Sequence, residues 1–139
     1  MNSGKWLISI CRVVVSIAVI LMIAIALFLS ICYLGRQYEM TRVSRIYTSN
    51  CTLYENIVSG NDDITYDRKE NHYAVSKELL ELGVDDIYSW KGNVFFEHKE
   101  KVLGMFPQGI VWVKQSDTLP EWMILSTISG QWYYYRIVS

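Results

Sequence analysis

The chain has 139 residues, a formal net charge of −1 and 51% hydrophobic residues, and this length allows one ordinary domain. From residue 36 onward it carries 11 basic and 14 acidic side chains without a basic stripe, which excludes the electrostatic signature of a nucleic-acid-binding protein. The hydrophobic residues are unevenly distributed, and their longest run lies near the N-terminus.

The 22 residues from Val13 to Leu34 carry no charged side chain. As a helix they span ~33 Å at ~1.5 Å per residue, which is enough to cross a ~30 Å hydrocarbon core. A helix that is apolar on all faces needs a large protein or a membrane around it, and the rest of this chain is too short to enclose it. The sequence therefore predicts a short N-terminal flank at 1–12 and one transmembrane helix at 13–34. A cleaved signal peptide fits less well, because its apolar core has about 7–15 residues and ends in a small-x-small cleavage site.

The charges that flank the predicted span are nearly balanced. Lys5 and Arg12 precede it, and Arg36, Arg42 and Arg45 follow it. A short basic N-terminal tail usually stays in the cytoplasm. We therefore expect a single-pass membrane protein whose soluble domain is extracytoplasmic rather than cytoplasmic.

Two small residues in the span, Ala26 and Ser30, form a small-xxx-small pair. Such pairs let a second helix approach closely in a membrane. These two residues are the candidates for helix–helix packing, and they would allow a homodimer.

Residues 35–60 have the pattern of a juxtamembrane amphipathic helix. Apolar residues recur at helical spacing from about Met40 to Val58 and form one broad face. Gly35 is a position at which the helix could break or bend, and Gly60 stands where a C-terminal cap belongs.

Residues 61–139 are predicted to form a small α+β domain. The polar segment up to Asn71 is expected to be a loop, and a short helix is expected from Tyr73 to Leu82, before Gly83. Beyond Asp86 the apolar period changes from helical to two, as in strands. The expected strands are Ile87–Trp90, Asn93–His98, Ile110–Gln115, Trp122–Ile128 and Gln131–Val138, with turns at Lys91–Gly92, Pro107–Gly109 and Ser129–Gly130.

Helices followed by strands are typical of an α+β fold. The expected architecture is a single N-terminal transmembrane helix and then two helices packed on a four- or five-stranded antiparallel sheet. If Ser129 and Gly130 form the last hairpin turn, Trp122 lies opposite Ile137 and Ile124 lies opposite Tyr135.

An aromatic cluster occupies the last two predicted strands. Alternate members are expected to fill the core, and outward members would offer a partner-binding surface, because exposed Trp and Tyr are frequent hot-spot residues. The candidate surface residues are Trp122, Trp132, Tyr133, Tyr134 and Tyr135.

The sequence contains no motif for catalysis, metal binding or cofactor binding. Its two histidines, His72 and His98, do not stand at metal-ligand spacing, and His98 is expected to be solvated at a turn. Cys51 lies on the apolar helix face, where a small core residue is expected. The sequence therefore predicts neither an enzyme nor a cofactor.

The leading functional hypothesis is a single-pass membrane-anchored interaction or accessory protein. It would bind a protein partner, or a larger membrane complex, through its α+β domain. A membrane-anchored sensor that holds a small ligand between helices and sheet is an alternative. The layout also resembles that of pilins and pseudopilins, which implies an assembly subunit. Those families have a processed Gly before a Phe and a Glu five residues into the mature helix, whereas this apolar run has no Glu and follows Arg12.

Overall fold

The computed structural model describes residues 3–60, 66–67, 71–99 and 107–138. The chain divides into two compact units, Met1–Arg36 and Gln37–Ser139. Helix α1 (Ser3–Ser49) begins in the first unit and ends in the second.

The first unit consists, in its described part, of the N-terminal portion of α1. Its apolar side chains are exposed, and Ile20, Leu27 and Phe28 keep 66%, 59% and 65% of their surface accessible. One helix among the described residues is long and apolar enough to cross a membrane, and none of its apolar window is buried. A long, unburied apolar helix near the N-terminus fits a membrane anchor or a signal sequence.

Helix α1 continues through Gly35, so this residue does not interrupt the helix as its type would allow. A glycine costs a helix only ~1 kcal/mol relative to alanine, which good helix formers on both sides offset. The interruption lies at Asn50, whose φ of −136° leaves the helical region and whose side-chain amide donates to the Ile46 carbonyl at 2.9 Å. Helix α2 (Cys51–Ser59) follows and ends at Gly60, which has a φ of 70°, as the sequence indicated.

The second unit carries one antiparallel sheet, which confirms the α+β class. The sheet is larger than expected, because the segment predicted as a loop and a helix start contains two short strands. Helix α3 (Lys77–Glu81) is shorter than predicted, and Ser76 caps it by accepting the Leu79 N–H at 3.4 Å. In the described residues the sheet order is β1-β2-β3-β4-β5-β7-β6, with strands β1 (Tyr66–Asp67), β2 (His72–Tyr73), β3 (Val84–Trp90), β4 (Asn93–His98), β5 (Gln108–Trp112), β6 (Met123–Ser129) and β7 (Trp132–Ile137), and a 3₁₀ turn at Ser116–Thr118.

The first hairpin forms where the sequence indicated. Strands β3 and β4 are joined by Lys91 and Gly92, and Trp90 pairs with Asn93. Both loop residues have positive φ, 50° and 83°, as a two-residue type I′ turn requires.

The last hairpin differs from its predicted register by one residue. Its two-residue loop is Gly130–Gln131, since Ser129 pairs with Trp132, and a bulge lies just before the loop, between Thr127 and Ser129. Gly130 alone of this loop has a positive φ, 54°, so it takes the first loop position rather than the second. Met123 consequently lies opposite Ile137, and Leu125 rather than Ile124 lies opposite Tyr135.

The predicted turn at Pro107–Gly109 is instead the start of β5. Gly109 pairs with Glu97 on one side and with Tyr135 on the other. A Cβ on Gly109 would lie 1.9 Å from the Phe96 carbonyl oxygen, so the glycine permits a close approach of two strands rather than a reversal of the chain.

Both faces of the sheet are covered by buried side chains. These side chains form two clusters, one on each face. The larger cluster includes four side chains of α1 and α2, so these helices are part of the domain core. The smaller cluster, on the opposite face, consists of Phe95, Val111, Val113 and Tyr135. The larger cluster consists of Val43, Tyr47, Tyr54, Ile57, Leu79, Val84, Ile87, Val94, Phe96, Ile110, Trp132 and Tyr134.

Candidate protein-interaction surface

The aromatic cluster of β6 and β7 is divided between the two faces of the sheet. Trp132 and Tyr134 face the helices and are only 7% and 4% exposed. Trp132 packs against Tyr47, with ring centroids 4.9 Å apart. These two side chains belong to the core and offer little surface to a partner.

The opposite face buries Tyr135 completely, with its ring edge-on to Phe95 at a centroid distance of 5.2 Å. Tyr133 is half-buried beside it. Trp122 is 52% exposed. Of the five predicted surface aromatics, Trp122 is thus the one that remains largely accessible.

The predicted helix-packing residues, Ala26 and Ser30, lie on the first unit and are exposed. The Ser30 hydroxyl donates to the Ala26 carbonyl at 2.8 Å, within the same helix. The small side chains remain accessible to a second helix, and their packing role stays a prediction.

Strand β6 carries an exposed apolar patch that the sequence analysis did not separate from the aromatic cluster. Ile124 and Leu125 are 45% and 36% exposed, and they point to opposite faces of the sheet because successive strand residues alternate. Trp122 and Val138 are also exposed, at 52% and 40%, and by the same alternation they lie on the face of Ile124. We call these four residues the β6 patch.

The β6 patch lies on an edge of the sheet. Strand β6 is the last in the sheet order and pairs only with β7 among the described residues. The Val138 N–H donates to the Trp122 carbonyl at 3.0 Å, so, by alternation along the regular part of β6, Ile124 and Ser126 direct their backbone groups toward β7. Leu125 and Thr127 therefore direct their N–H and C=O groups away from the sheet.

A partly buried ion pair and a buried amide connect α1 to the sheet. Glu39, 4% exposed, binds the Arg42 guanidinium at 2.6 Å and accepts from Gln108 Nε2 at 2.9 Å. The Tyr134 hydroxyl donates to Gln108 Oε1 at 2.5 Å, and Arg42 also donates to the Lys99 carbonyl at 2.9 Å. The network thus connects helix α1 to strands β5 and β7.

His98 is buried rather than solvated, which corrects the sequence expectation. It is 2% exposed, and its Nε2 lies 3.0 Å from the Tyr54 hydroxyl. Burial lowers the pKa of His98 to about 3, and the positive charge of Arg42 acts in the same direction. Burial also raises the pKa of Tyr54 above its ordinary value, so the pair is neutral and the hydroxyl donates to the imidazole.

A row of polar residues crosses the face opposite the helices. Asp86 and Glu97 are cross-strand neighbours, and burial raises the pKa of Glu97, with Asp86 and Asp85 adding to the effect. Asp86 binds His72 Nδ1 at 2.8 Å. Among the described residues no group of three potential metal ligands is present.

One feature of the sequence indicates the β6 patch. The 14 residues from Trp122 to Tyr135 carry no charge. The sequence does not show which of the two strands lies at the sheet edge, because that depends on the insertion of β7 between β5 and β6.

Comparison of the chain with protein-family profiles, with curated proteins and with solved structures finds no match.

Proposed function

We propose that this chain is a membrane-anchored protein-interaction domain, whose α1 apolar segment holds it in a bilayer and whose β6 patch binds a protein partner. The observation that carries the proposal is the exposed apolar edge strand. Natural sheets usually protect an edge with charge, proline or a covering element. The seven residues of β6 contain neither charge nor proline, and their apolar side chains are accessible on both faces.

The anchor part of the proposal rests on the exposed apolar surface of α1. Leaving side chains such as Leu27 and Phe28 in water would cost about 1.5–3 kcal/mol each relative to burying them, and a bilayer removes that cost. We propose an extracytoplasmic domain, because Lys5 and Arg12 favour a cytoplasmic N-terminus.

Membrane attachment is tested by alkaline carbonate extraction of membranes that contain the full chain. The protein is expected in the membrane pellet, and a variant with Leu21, Ala24 and Leu27 replaced by Asp is expected in the supernatant. Added protease should digest the domain in intact cells if it is extracytoplasmic. Recovery of the unaltered chain in the soluble fraction would refute the anchor.

Partner binding is tested by placing a photo-reactive amino acid at Leu125 and, as a control, at the exposed Ser116. Irradiation should join Leu125 to another protein chain and should leave the Ser116 variant unmodified. Equal labelling at both positions, or none at Leu125, would refute the β6 patch as the binding surface.

A further inference from the structure

We infer that the partner of the β6 edge is a second copy of this chain, bound by antiparallel pairing of β6 with β6 around Leu125. This inference rests on the proposed function, and it identifies the partner of the same surface. Three observations support it: the backbone groups of Leu125 point away from the sheet, strand β6 has no charged side chain, and a bulge lies at one end of the strand.

The backbone groups of β6 fit this register. Leu125 directs both its N–H and its C=O away from the sheet, so two copies facing each other through a two-fold axis can exchange both hydrogen bonds. Thr127 N–H then faces the Met123 carbonyl of the second copy. The Met123 N–H already donates to the Pro120 carbonyl at 3.1 Å, so the new pairing does not need it.

The side chains also fit. No charged residue occurs between Trp122 and Tyr135, so two copies of the edge meet without charge repulsion. The two exposed Leu125 side chains would lie opposite each other, with their Cα atoms ~5.5 Å apart as in a hydrogen-bonded antiparallel pair. A partner recognised through charge would find no complementary group on this strand.

The bulge limits the pairing to one segment. It lies between Thr127 and Ser129, at the turn end of β6, and it interrupts the regular edge there. The regular segment Met123–Thr127 is centred on Leu125. The contact is short, so it gains stability if both copies are confined to one membrane, which raises their effective concentration.

The experiment uses the full chain in proteoliposomes, with Cys11, Cys32 and Cys51 replaced by Ala. A cysteine is placed at Leu125 or, as a control, at Ser116, and a short thiol-to-thiol cross-linker is added. Leu125→Cys should give a covalent dimer of the chain, and Ser116→Cys should not. A monomer at both positions would overturn the inference.

A second variant separates pairing from general hydrophobic contact. Leu125→Pro removes an N–H that faces away from β7, so the hydrogen bonds between β6 and β7 remain. Leu125→Thr keeps the N–H and removes apolar surface. The proline variant should lower the dimer fraction, measured by single-molecule photobleaching, about tenfold or more below that of the threonine variant, because two central hydrogen bonds are lost. Equal dimer fractions would overturn edge pairing.

Photo-cross-linking in cells distinguishes this inference from the broader proposal. An adduct between Leu125 and a second copy of the chain supports both. An adduct only with a different protein would overturn self-pairing and would leave the β6 patch as a partner-binding surface. The absence of any adduct would refute both.

Discussion

His98 shows how one buried side chain makes the stability of the domain depend on pH. Its imidazole is neutral in the folded state, with a pKa of about 3, whereas in the unfolded chain an ordinary histidine has a pKa near 6.5. Between these two values the unfolded state binds more protons. The contribution of the neutral His98 to the free energy of unfolding is therefore fully present above about pH 6.5, and it is lost as the pH falls toward 3.

We predict that replacing His98 by Gln flattens this pH dependence. In the unaltered protein, His98 should lower the free energy of unfolding by about 1.4 kcal/mol for each unit that the pH falls between about 6.5 and 3. Denaturant unfolding of the full chain in detergent, at several pH values from 7 to 4, measures the slope for both proteins. Glu97, whose pKa is raised, acts in the opposite direction near pH 4.5 and above, so the difference between the two proteins is the relevant quantity. Identical slopes would show that His98 is accessible to protons in the folded state.

Gly109 is required because the neighbouring strand lies too close to this residue for any side chain. An added Cβ would meet the Phe96 carbonyl oxygen at 1.9 Å, and the opposing atom is backbone that cannot rotate away. We predict that Gly109→Ala destabilises the domain by about 3 kcal/mol or more through overpacking. Gly35→Ala, within helix α1, is the control and should leave domain stability unchanged or slightly higher. Thermal unfolding followed by tryptophan fluorescence compares them, and a stable Gly109→Ala protein would contradict the strand geometry.

At the scale of elements, the network around Glu39 attaches helix α1 to the sheet. Removal of this carboxylate would leave Arg42 without its ion-pair partner and Gln108 Nε2 without an acceptor. We predict that Glu39→Ala lowers the unfolding free energy by about 2–4 kcal/mol. Arg45→Ala, an exposed change on the same helix, should change it by less than about 0.5 kcal/mol. Denaturant midpoints of the two variants measure the effect, and equal values would mean that Arg42 finds another partner.

Much of the element pattern was accessible from the sequence. The apolar period of residues 40–58 predicted the helix face that packs on the sheet, and Gly60 marked its end. Strand β4 has the predicted bounds, and Lys91–Gly92 forms the predicted turn. These features depend on local periodicity and on residues that tolerate positive φ, so neighbouring residues are sufficient to predict them.

The remaining features depend on contacts between distant residues. Pro107–Gly109 resembles a turn locally, yet Gly109 is needed because two strands approach closely. The register of the last hairpin depends on whether Gly130 is the first or the second residue of the two-residue loop. A shift of one residue exchanges the faces of Ile124 and Leu125. The burial of His98 follows from its contact with Tyr54, which is 44 residues away in the chain.

At the scale of the whole molecule, the domain extends further toward the N-terminus than the strands suggest. Val43 and Tyr54 are fully buried, and both lie in the helices that precede the sheet. We predict that a fragment beginning at Gln37 folds and that one beginning at residue 61 does not. The shorter fragment lacks four core side chains, each worth about 1.5–3 kcal/mol of burial, which exceeds the margin of a small domain.

Far-ultraviolet circular dichroism and the width of the thermal transition distinguish the two fragments. A cooperative transition in the fragment that begins at residue 61 would show that the helices are dispensable. A fragment beginning at Gln37 that unfolds without cooperativity would instead place the domain boundary earlier in α1.

The insertion of β7 between β5 and β6 has a consequence for the order of events during synthesis. Strand β7 is the last element in the chain, yet it occupies an interior position and shares one core with residues of α1. The sheet therefore cannot close until β7 has been synthesised and has left the ribosome, so the domain can complete its folding only after its last strand is available. The backbone groups of β6 take their final direction only when β7 has paired with β5. A chain that lacks β7 therefore does not present the β6 edge in its final form.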